Sequence, residues 1–502
     1  MRKTISLTLL FLTLISLMIS CTDKKAAQDN QETVLLTETA VTDETTSDSW
    51  KNRIPSADFK GETFTVLVET NASVAIWERY WSAEDDGDVL NSAVFRRNMS
   101  ISEYYNVSLD YAMLDDTGNR LYNSIMAGDY LYNLACFHMA AASGFVTKGI
   151  YANWYNMPNV DFSNPWWSKS NAADLSYKSV LFTAIGDYAT STLATTYCMF
   201  YNKSKAEDYN LGDIYQIVND GAWTIDKLAE LTSGIYNDLN NNGKADNDDF
   251  YGFVTPPATA LIAYNWALGG QIFKMDDSGN LNNAFMSEHT VKMFEKVYSL
   301  LYDNQGSYTT YDYKSPYGDA YHNMGRDFLL GGQAVFINGA FDDALTRFRE
   351  MDDDFGIIPY PKLDEQQENY YTTCNANLES MEIPANTPDD KLDMTGLLCE
   401  ALCAESYETV TPAYYQKSLK DKAARDEETL ALLDLIRDSR RFDFGYLYNF
   451  AASGTYYASL MQDMMNPKKP NTDITSNYEK SSEKFDKYFQ DIFDFYDQYL
   501  GG

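Results

Sequence analysis

Apolar positions along the chain fall into two alternating kinds of segment. Short apolar runs, most of them closed by turn formers, occur at Phe64–Glu69 (FTVLVE), Asn133–Met139 (NLACFHM), Thr196–Asn202 (TYCMFYN), Tyr251–Thr255 (YGFVT), Ala334–Gly339 (AVFING) and Phe355–Pro361 (FGIIPYP). Runs of this length, bounded in this way, predict buried strands. Between them apolar residues recur every three to four positions. Val291, Phe294, Val297 and Leu301 make one such stripe, and Phe485, Phe489, Ile492, Phe493, Tyr496 and Leu500 make another in the last segment. Both predict amphipathic helices. In WTIDKLAELTSGIY, Thr224 is placed as an N-cap, with Trp223 and Leu228 as a hydrophobic staple across it. From Leu397 onward the pattern is mainly helical, with Leu430, Leu433 and Ile436 on one face and Glu427, Asp434, Arg437, Arg440 and Arg441 expected on a solvated one. MDDSGN (Met275–Asn280) predicts a hairpin turn. Alternating strand and helix predicts an α/β architecture with mostly parallel strands. No internal repeat is visible.

The first fifty residues follow a different pattern. MRKTISLTLLFLTLISLMISC places Arg2 and Lys3 before an apolar run, Ile5–Ile19, broken only by Ser and Thr. This is the form of an export signal, too short for a comfortable membrane span. The tetrapeptide MISC resembles the lipobox of bacterial lipoproteins, with Met18 where Leu is usual. That resemblance implies a signal peptide over residues 1–20 and lipid attachment at Cys21. The stretch that follows, to about Ser49, has no aromatic residue and few large apolar ones beyond Val34–Leu36. Such a composition cannot bury enough surface to fold, so residues 21–50 are expected to be a lipidated cysteine and a disordered tether.

The remaining chain is too long for one compact core, which predicts two lobes. The formal net charge of −34 argues against a nucleic-acid partner, because no basic stripe displaces counterions. It argues equally against direct docking on anionic lipid heads. Besides Cys21 there are five cysteines, Cys136, Cys198, Cys374, Cys399 and Cys403, an odd number with no CxxC. They read as small buried hydrophobes. The three histidines, His138, His289 and His322, are far apart in sequence, and no zinc spacing is present.

Five segments together carry a family resemblance: DGDVLNSAVFRRN (Asp86–Asn98), NPWWS (Asn164–Ser168), YQIVNDGAWTIDKL (Tyr215–Leu228), FGIIPYPKLDEQQENYYT (Phe355–Thr372) and AESYETVTPAYYQ (Ala404–Gln416). In that order they are similar to the extracellular solute-binding lipoproteins of carbohydrate ABC importers, a group distantly related to maltose-binding protein. The resemblance implies a two-lobed α/β fold of the periplasmic-binding-protein (Venus flytrap) kind, with the ligand in the cleft between lobes. It implies chain crossings near Ala184–Thr195 and Tyr360–Tyr371. Lobe one would then comprise 51–188 with about 365–400, and lobe two 189–364, with helices over 401–502 packing across both. It further implies a monomer held at the extracellular face of the cytoplasmic membrane by its lipid alone. Such a protein captures a carbohydrate reversibly and delivers it to ABC transporter permease subunits, without catalysis.

Catalytic signatures are absent: no G-x-x-x-x-G-K-[ST], H-E-x-x-H or G-x-S-x-G occurs. The acidic residues are numerous enough to supply a carboxylate pair by chance, so a secreted glycoside hydrolase stays as an alternative, beside a receptor for a non-sugar solute such as a peptide. A surface adhesin or cell-wall scaffold is a third reading. Aromatic residues make up 15% of the chain, and a sugar site wants rings for its C–H faces together with planar polar groups for its hydroxyls. Ligands of open α/β sheets bind at strand ends. That rule selects Trp77 and Trp81 after the first strand, Tyr264 and Trp266 beyond YGFVT, Phe341 after FING, and Tyr371 at the second implied crossing. His138, Asp187 and Asn338 are the polar candidates. Trp166 and Trp167 read as structural. Finally, DLNNNGKADNDDF (Asp238–Phe250) matches an EF-hand-type loop. Asp238, Asn240, Asn242, Asp246 and Asp249 stand at ligand positions, Lys244 offers its carbonyl, and Gly243 sits where the chain must turn. Asp249, where Glu is usual, shortens the last arm. A structural Ca2+ clamping a helix near Asn237 to the strand at Tyr251 is expected.

Overall fold

A computed structural model describes residues 49–70, 81–168, 170–257, 259–276, 278–316, 320–418, 427–449 and 457–501. The chain divides into two units, Met1–Thr46, which lies outside the described residues, and Ser47–Gly502. Cys21, the signal and tether segments up to Asp48, and Trp77 are therefore outside the description.

Twelve strands are described: β1 (Glu62–Glu69), β2 (Val107–Leu114), β3 (Leu134–His138), β4 (Tyr197–Asn202), β5 (Tyr236–Asn237), β6 (Phe250–Val254), β7 (Phe273–Met275), β8 (Leu281–Asn283), β9 (Ser307–Tyr308), β10 (Ala334–Ala340), β11 (Phe355–Ile358) and β12 (Glu379–Glu382). They form a four-stranded sheet in the order β12-β3-β1-β2 and a six-stranded one in the order β11-β4-β10-β6-β5, with β9 also on β6. The strands β7 and β8 make a separate hairpin, turning at Asp276–Asn280 as MDDSGN predicts. Every residue of β4, β6 and β11 is buried. Strands covered on both faces read as continuous apolar runs rather than as alternations, which is why these were visible in the sequence.

The sheets are mixed, not mostly parallel. β1 runs parallel to β2 and β3, and β6 parallel to β9 and β10. But β12 is antiparallel to β3, β4 is antiparallel to β10 and β11, and β5 to β6. β5 and β6 are the two arms of a hairpin. For β4 and β12 the cause is the path of the chain. It passes between the sheets twice, between β3 and β4 and between β11 and β12, and the strand after each passage enters its new sheet reversed. The two passages are hydrogen-bonded to each other. Thr196 and Cys374 form an antiparallel bridge. Tyr197 N–H donates to the Thr373 carbonyl at 3.0 Å, Asn375 N–H to Thr195 at 2.9 Å, and the Thr372 hydroxyl to Tyr197 at 2.7 Å.

Helices begin where their caps predict. Asp88 accepts from the Leu90 and Asn91 amides to start Val89–Tyr105, and Thr224 accepts from Lys227 N–H at 3.1 Å to start Ile225–Thr232. Trp223 and Leu228 are both buried beside that cap. Helix Asp389–Glu405 buries every residue from Met394 to Glu405 and continues through Ser406–Val410 into Thr411–Ser418. Its Glu400 accepts from the indoles of Trp166 (2.8 Å) and Trp167 (2.7 Å) and from the Asn164 amide (2.7 Å). NPWWS is thus a buried fastener, as its structural reading had it. The helix Glu427–Asp438 departs from expectation. Leu433 and Ile436 are buried, but Leu430 is 40% exposed, and Arg437 and Arg440 are only 6% and 5% exposed instead of solvated. Among the described residues no helix is long and apolar enough to cross a membrane.

Candidate functional site

At one end of the smaller sheet Glu69 closes β1, His138 closes β3, and Glu379 opens the antiparallel β12 directly opposite His138. The His138 backbone N–H donates to Glu69 Oε2 at 2.9 Å, and its Nδ1 lies 3.8 Å from the same oxygen. Burial lowers the His138 pKa and the Glu69 carboxylate partly opposes it, so the ring is neutral near pH 7. Glu379 accepts from Trp81 Nε1–H at 3.0 and 3.1 Å, while its own N–H donates to the Ser191 hydroxyl in the first passage at 2.9 Å. Trp81 is buried and edge-on to Tyr188, 4.6 Å between ring centres. It props Glu379 rather than presenting an open face.

On the larger sheet Asn338 sits near the end of β10, opposite Met199 on β4. It is buried, and its side-chain amide makes no well-formed hydrogen bond, only loose polar contacts with neighbouring phenols. The hydroxyls of Tyr264 and Tyr360 lie beside it. Tyr360 donates to the Ala260 carbonyl at 3.1 Å, whereas the Tyr264 hydroxyl has only the loose contact with the Asn338 amide. The two rings meet edge to face at 5.0 Å. Two residues along the short helix Tyr264–Ala267, the Trp266 Nε1–H is unpartnered, its ring 4.4 Å from that of Tyr446. Each buried polar group left unpaired costs roughly 1–3 kcal/mol. The Asn338 amide and the Tyr264 hydroxyl, together near the end of β10, have capacity for a group that brings donors and acceptors. Arg326 and Asp343 form an ion pair close by, and Asp343 also accepts from the Ala340 amide at 2.9 Å.

Of the residues chosen from sequence, Tyr264 and Asn338 come together, Trp266 packs against Tyr446 two positions along the helix from Tyr264, and His138 stands at the end of β3 in the other sheet. Others are placed differently. Asp187 is buried in an ion pair with Arg437 (3.0 Å) and near Arg440 (3.9 Å). Phe341 is buried against Tyr415 in a core cluster. Tyr371 lies under the Arg441 guanidinium, 4.7 Å from its ring centre. Sequence reasoning passed over Glu69, Glu379 and Tyr360. The strand-end rule reaches Glu69, the last residue of FTVLVE, and Tyr360, just past FGII. Glu379 had no signal, because ESME does not read as a strand.

The Asp238–Asp249 loop joins β5 to β6, which pair antiparallel. It is a hairpin loop, not the expected helix-to-strand connection. Gly243 turns it with φ 73°, a conformation that favours glycine. Asp238 accepts from the Asn242 (3.2 Å) and Gly243 (2.8 Å) amides. Asp249, fully buried, accepts from the Leu239 and Asp246 amides and the Tyr236 hydroxyl. Asp246 accepts from the side-chain amides of Asn240 and Asn242. Among the described residues no group of three or more His, Cys, Asp or Glu stands together as a metal site.

No protein-family model matches the chain, and no curated protein matches it. Solved structures do. The GacH receptor of Streptomyces glaucescens GLA.O, solved unliganded and in complex with acarbose, is 12% identical over 86% of this chain and 99% of its own, at a TM-score of 0.50. UspC of M. tuberculosis is 12% identical over 85% and 100%, at 0.52. The maltose-binding periplasmic protein MalE of Listeria monocytogenes, in complex with maltose, is 14% identical over 87% and 98%, at 0.50. Likeness at such identity speaks for architecture, and it agrees with two sheets joined by a paired double passage: the chain has the two-lobed α/β fold of the periplasmic-binding-protein-like receptors.

Proposed function

We propose that this protein is the solute-capturing component of an ABC import system. It binds a carbohydrate reversibly between its lobes and delivers it to a membrane permease, without chemistry of its own. The observation that carries this reading is the buried Asn338 amide and Tyr264 hydroxyl, which touch only loosely and keep hydrogen-bonding capacity open, with the unpartnered Trp266 indole N–H on the same short helix as Tyr264. Sugar hydroxyls donate and accept at once, so one ligand satisfies an amide, a phenol and an indole together, while aromatic rings take its C–H faces. The complexes of the GacH receptor with acarbose and of MalE with maltose support the same ligand class. Glu69, His138 and Glu379 offer polar contacts from the other sheet, and contacts to both lobes are what allow a ligand to shift the open–closed equilibrium. A thermal-shift screen against mono- and oligosaccharides, followed by calorimetry, tests it. A sugar at about a hundred times its Kd stabilises the fold by about 2.7 kcal/mol. Stabilisation by peptides, with silence across the sugars, replaces the ligand class; turnover of a glycoside replaces the function.

Two further features belong to this reading. The MISC sequence supports lipid attachment at Cys21, and in this reading the receptor is a monomer held by that lipid at the outer face of the cytoplasmic membrane. Fatty-acid labelling that persists unchanged in Cys21→Ala overturns that. The spacing of Asp238, Asn240, Asn242, Asp246 and Asp249, with the carbonyl of Lys244 and the turn at Gly243, supports a structural Ca2+ in the β5–β6 loop.

A further inference from the structure

A cavity of about 660 Å3 opens among the described residues between Thr411–Ser418 and Glu427–Asp438. That is the size of a small-molecule site. Its wall is mainly apolar and aromatic, with Tyr407, Pro412, Tyr415 and Leu430, and Glu408 and Asp434 add negative charge. Arg437 also lines it and is 6% exposed, yet its Nε–H has no hydrogen-bond partner. The rest of that guanidinium is committed. One Nη donates to Asp187 and to the Pro165 carbonyl, each at 3.0 Å. The other lies 3.6 Å from Asp438, and the Tyr407 ring stacks on it at 4.7 Å.

The segment that leaves the helix carrying Arg437, residues 439–441, is bonded to both passages. Arg440 Nη1 donates to the Thr192 carbonyl at 3.1 Å. Thr372 N–H donates to Ser439, and Arg441 N–H to Thr372, at 3.0 and 2.8 Å. From this arrangement we infer a second small-molecule site, separate from the strand-end cluster, whose occupant steadies the paired passages. Its ligand class follows from charge. Arg437 is already neutralised by Asp187 and Asp438, and Glu408 and Asp434 repel an anion. A cation would face the guanidinium. The site takes an uncharged molecule with a flat apolar body and one acceptor oxygen for Arg437 Nε–H.

Benzamide, benzoate and benzylammonium, titrated into the full chain and followed by ligand-observed NMR, separate these cases. Benzamide binds at millimolar concentration, and each charged analogue is weaker by about tenfold or more. Leu430→Trp, at a half-exposed position on the cavity wall, weakens benzamide by a similar factor, whereas Asn338→Ala leaves it unchanged. Benzamide also slows amide hydrogen exchange at Thr195–Tyr197 and Thr372–Asn375. Benzoate binding as tightly as benzamide, no benzamide binding, equal binding by Leu430→Trp, loss of binding in Asn338→Ala, or exchange at the passages unaltered by bound benzamide overturns the proposal.

Discussion

Glu400 shows how much of this molecule depends on buried carboxyls that accept several hydrogen bonds at once. It receives two indoles and one side-chain amide, and the Asp161 N–H at 3.2 Å. Glu400→Ala leaves both indole N–H groups buried without acceptors, at roughly 1–3 kcal/mol each. Urea unfolding of that variant gives a stability lower by about 2–5 kcal/mol; a change within a few tenths shows that water replaces the carboxylate at no cost. Asp443 is the same device with a pH signature. Fully buried, it accepts from the amides of Ile272 (2.8 Å), Phe273 (3.3 Å), Gly445 (2.7 Å) and Tyr446 (3.3 Å). Burial outweighs those bonds and pushes its pKa up to about 6 from 3.8. A folded pKa above the unfolded one means the folded state holds the proton more tightly. The contribution is therefore fully present below about pH 4 and is lost as pH rises through about 6. Unfolding free energies across pH 4–7 show a decline that Asp443→Asn flattens. Parallel profiles for the two proteins refute the assignment. At this scale the sequence was least informative. Asp187 was chosen for a ligand and Arg437 for a solvated face, yet they pair with each other, because a charge's partner across 250 positions leaves no local pattern.

Elements were far more legible, and the exceptions have physical causes. The apolar runs at β3, β4, β6, β10 and β11 were found because nearly every residue is buried, and β1 because its central Val66–Val68 is. β2 was missed because Ser108 and Asp110 interrupt it at the sheet edge, where it pairs on one side only. β12 was missed because two of its four residues are glutamates that are nevertheless buried. Gly396, in a wholly buried stretch of helix, decides between two opposed effects. Alanine gains about 1 kcal/mol of helix propensity there. Its Cβ, however, would stand 1.8 Å from the Pro158 carbonyl oxygen, and backbone cannot yield as a side chain does. Crowding of that kind costs typically 1–3 kcal/mol or more, so Gly396→Ala lowers the melting temperature. A higher one means Pro158 moves freely. The β5–β6 loop is tested at the same scale. With Ca2+ bound in the folded state alone, chelation lowers the melting temperature of the wild type and leaves Asp238→Ala unaffected. A metal-stripped sample that does not respond to added calcium removes the ion from the account.

At the scale of the whole molecule, two lobes were expected from chain length and from the order of the resembling segments, whereas the mixed strand directions could not be. For β4 and β12 they follow from the double passage, a long-range feature that strand periodicity does not encode. In the proposed function, that passage is where binding energy would become closure. Phe341 N–H donates to the Thr196 carbonyl at 3.1 Å, which ties the end of β10, and so Asn338, to the first passage. Glu379 is tied to the same passage through Ser191. A ligand that bonds Asn338 on one sheet and Glu69, His138 or Glu379 on the other is held across this hinge and favours closure. One that touches a single sheet equally in both states shifts nothing. Trp266→Phe separates these contributions. It keeps a smaller aromatic ring near Tyr446 and removes the unpartnered Nε1–H together with part of the buried indole's volume, so the sugar-free melting temperature, lowered by the cavity, is read beside the affinity. Calorimetry with the best sugar from the thermal-shift screen shows affinity weakened by about 1–3 kcal/mol. Small-angle scattering at saturating sugar still records compaction, because the remaining contacts span both sheets. Unchanged affinity in Trp266→Phe removes the indole from the site. Binding without compaction in the wild type places the ligand on one sheet only and separates capture from closure.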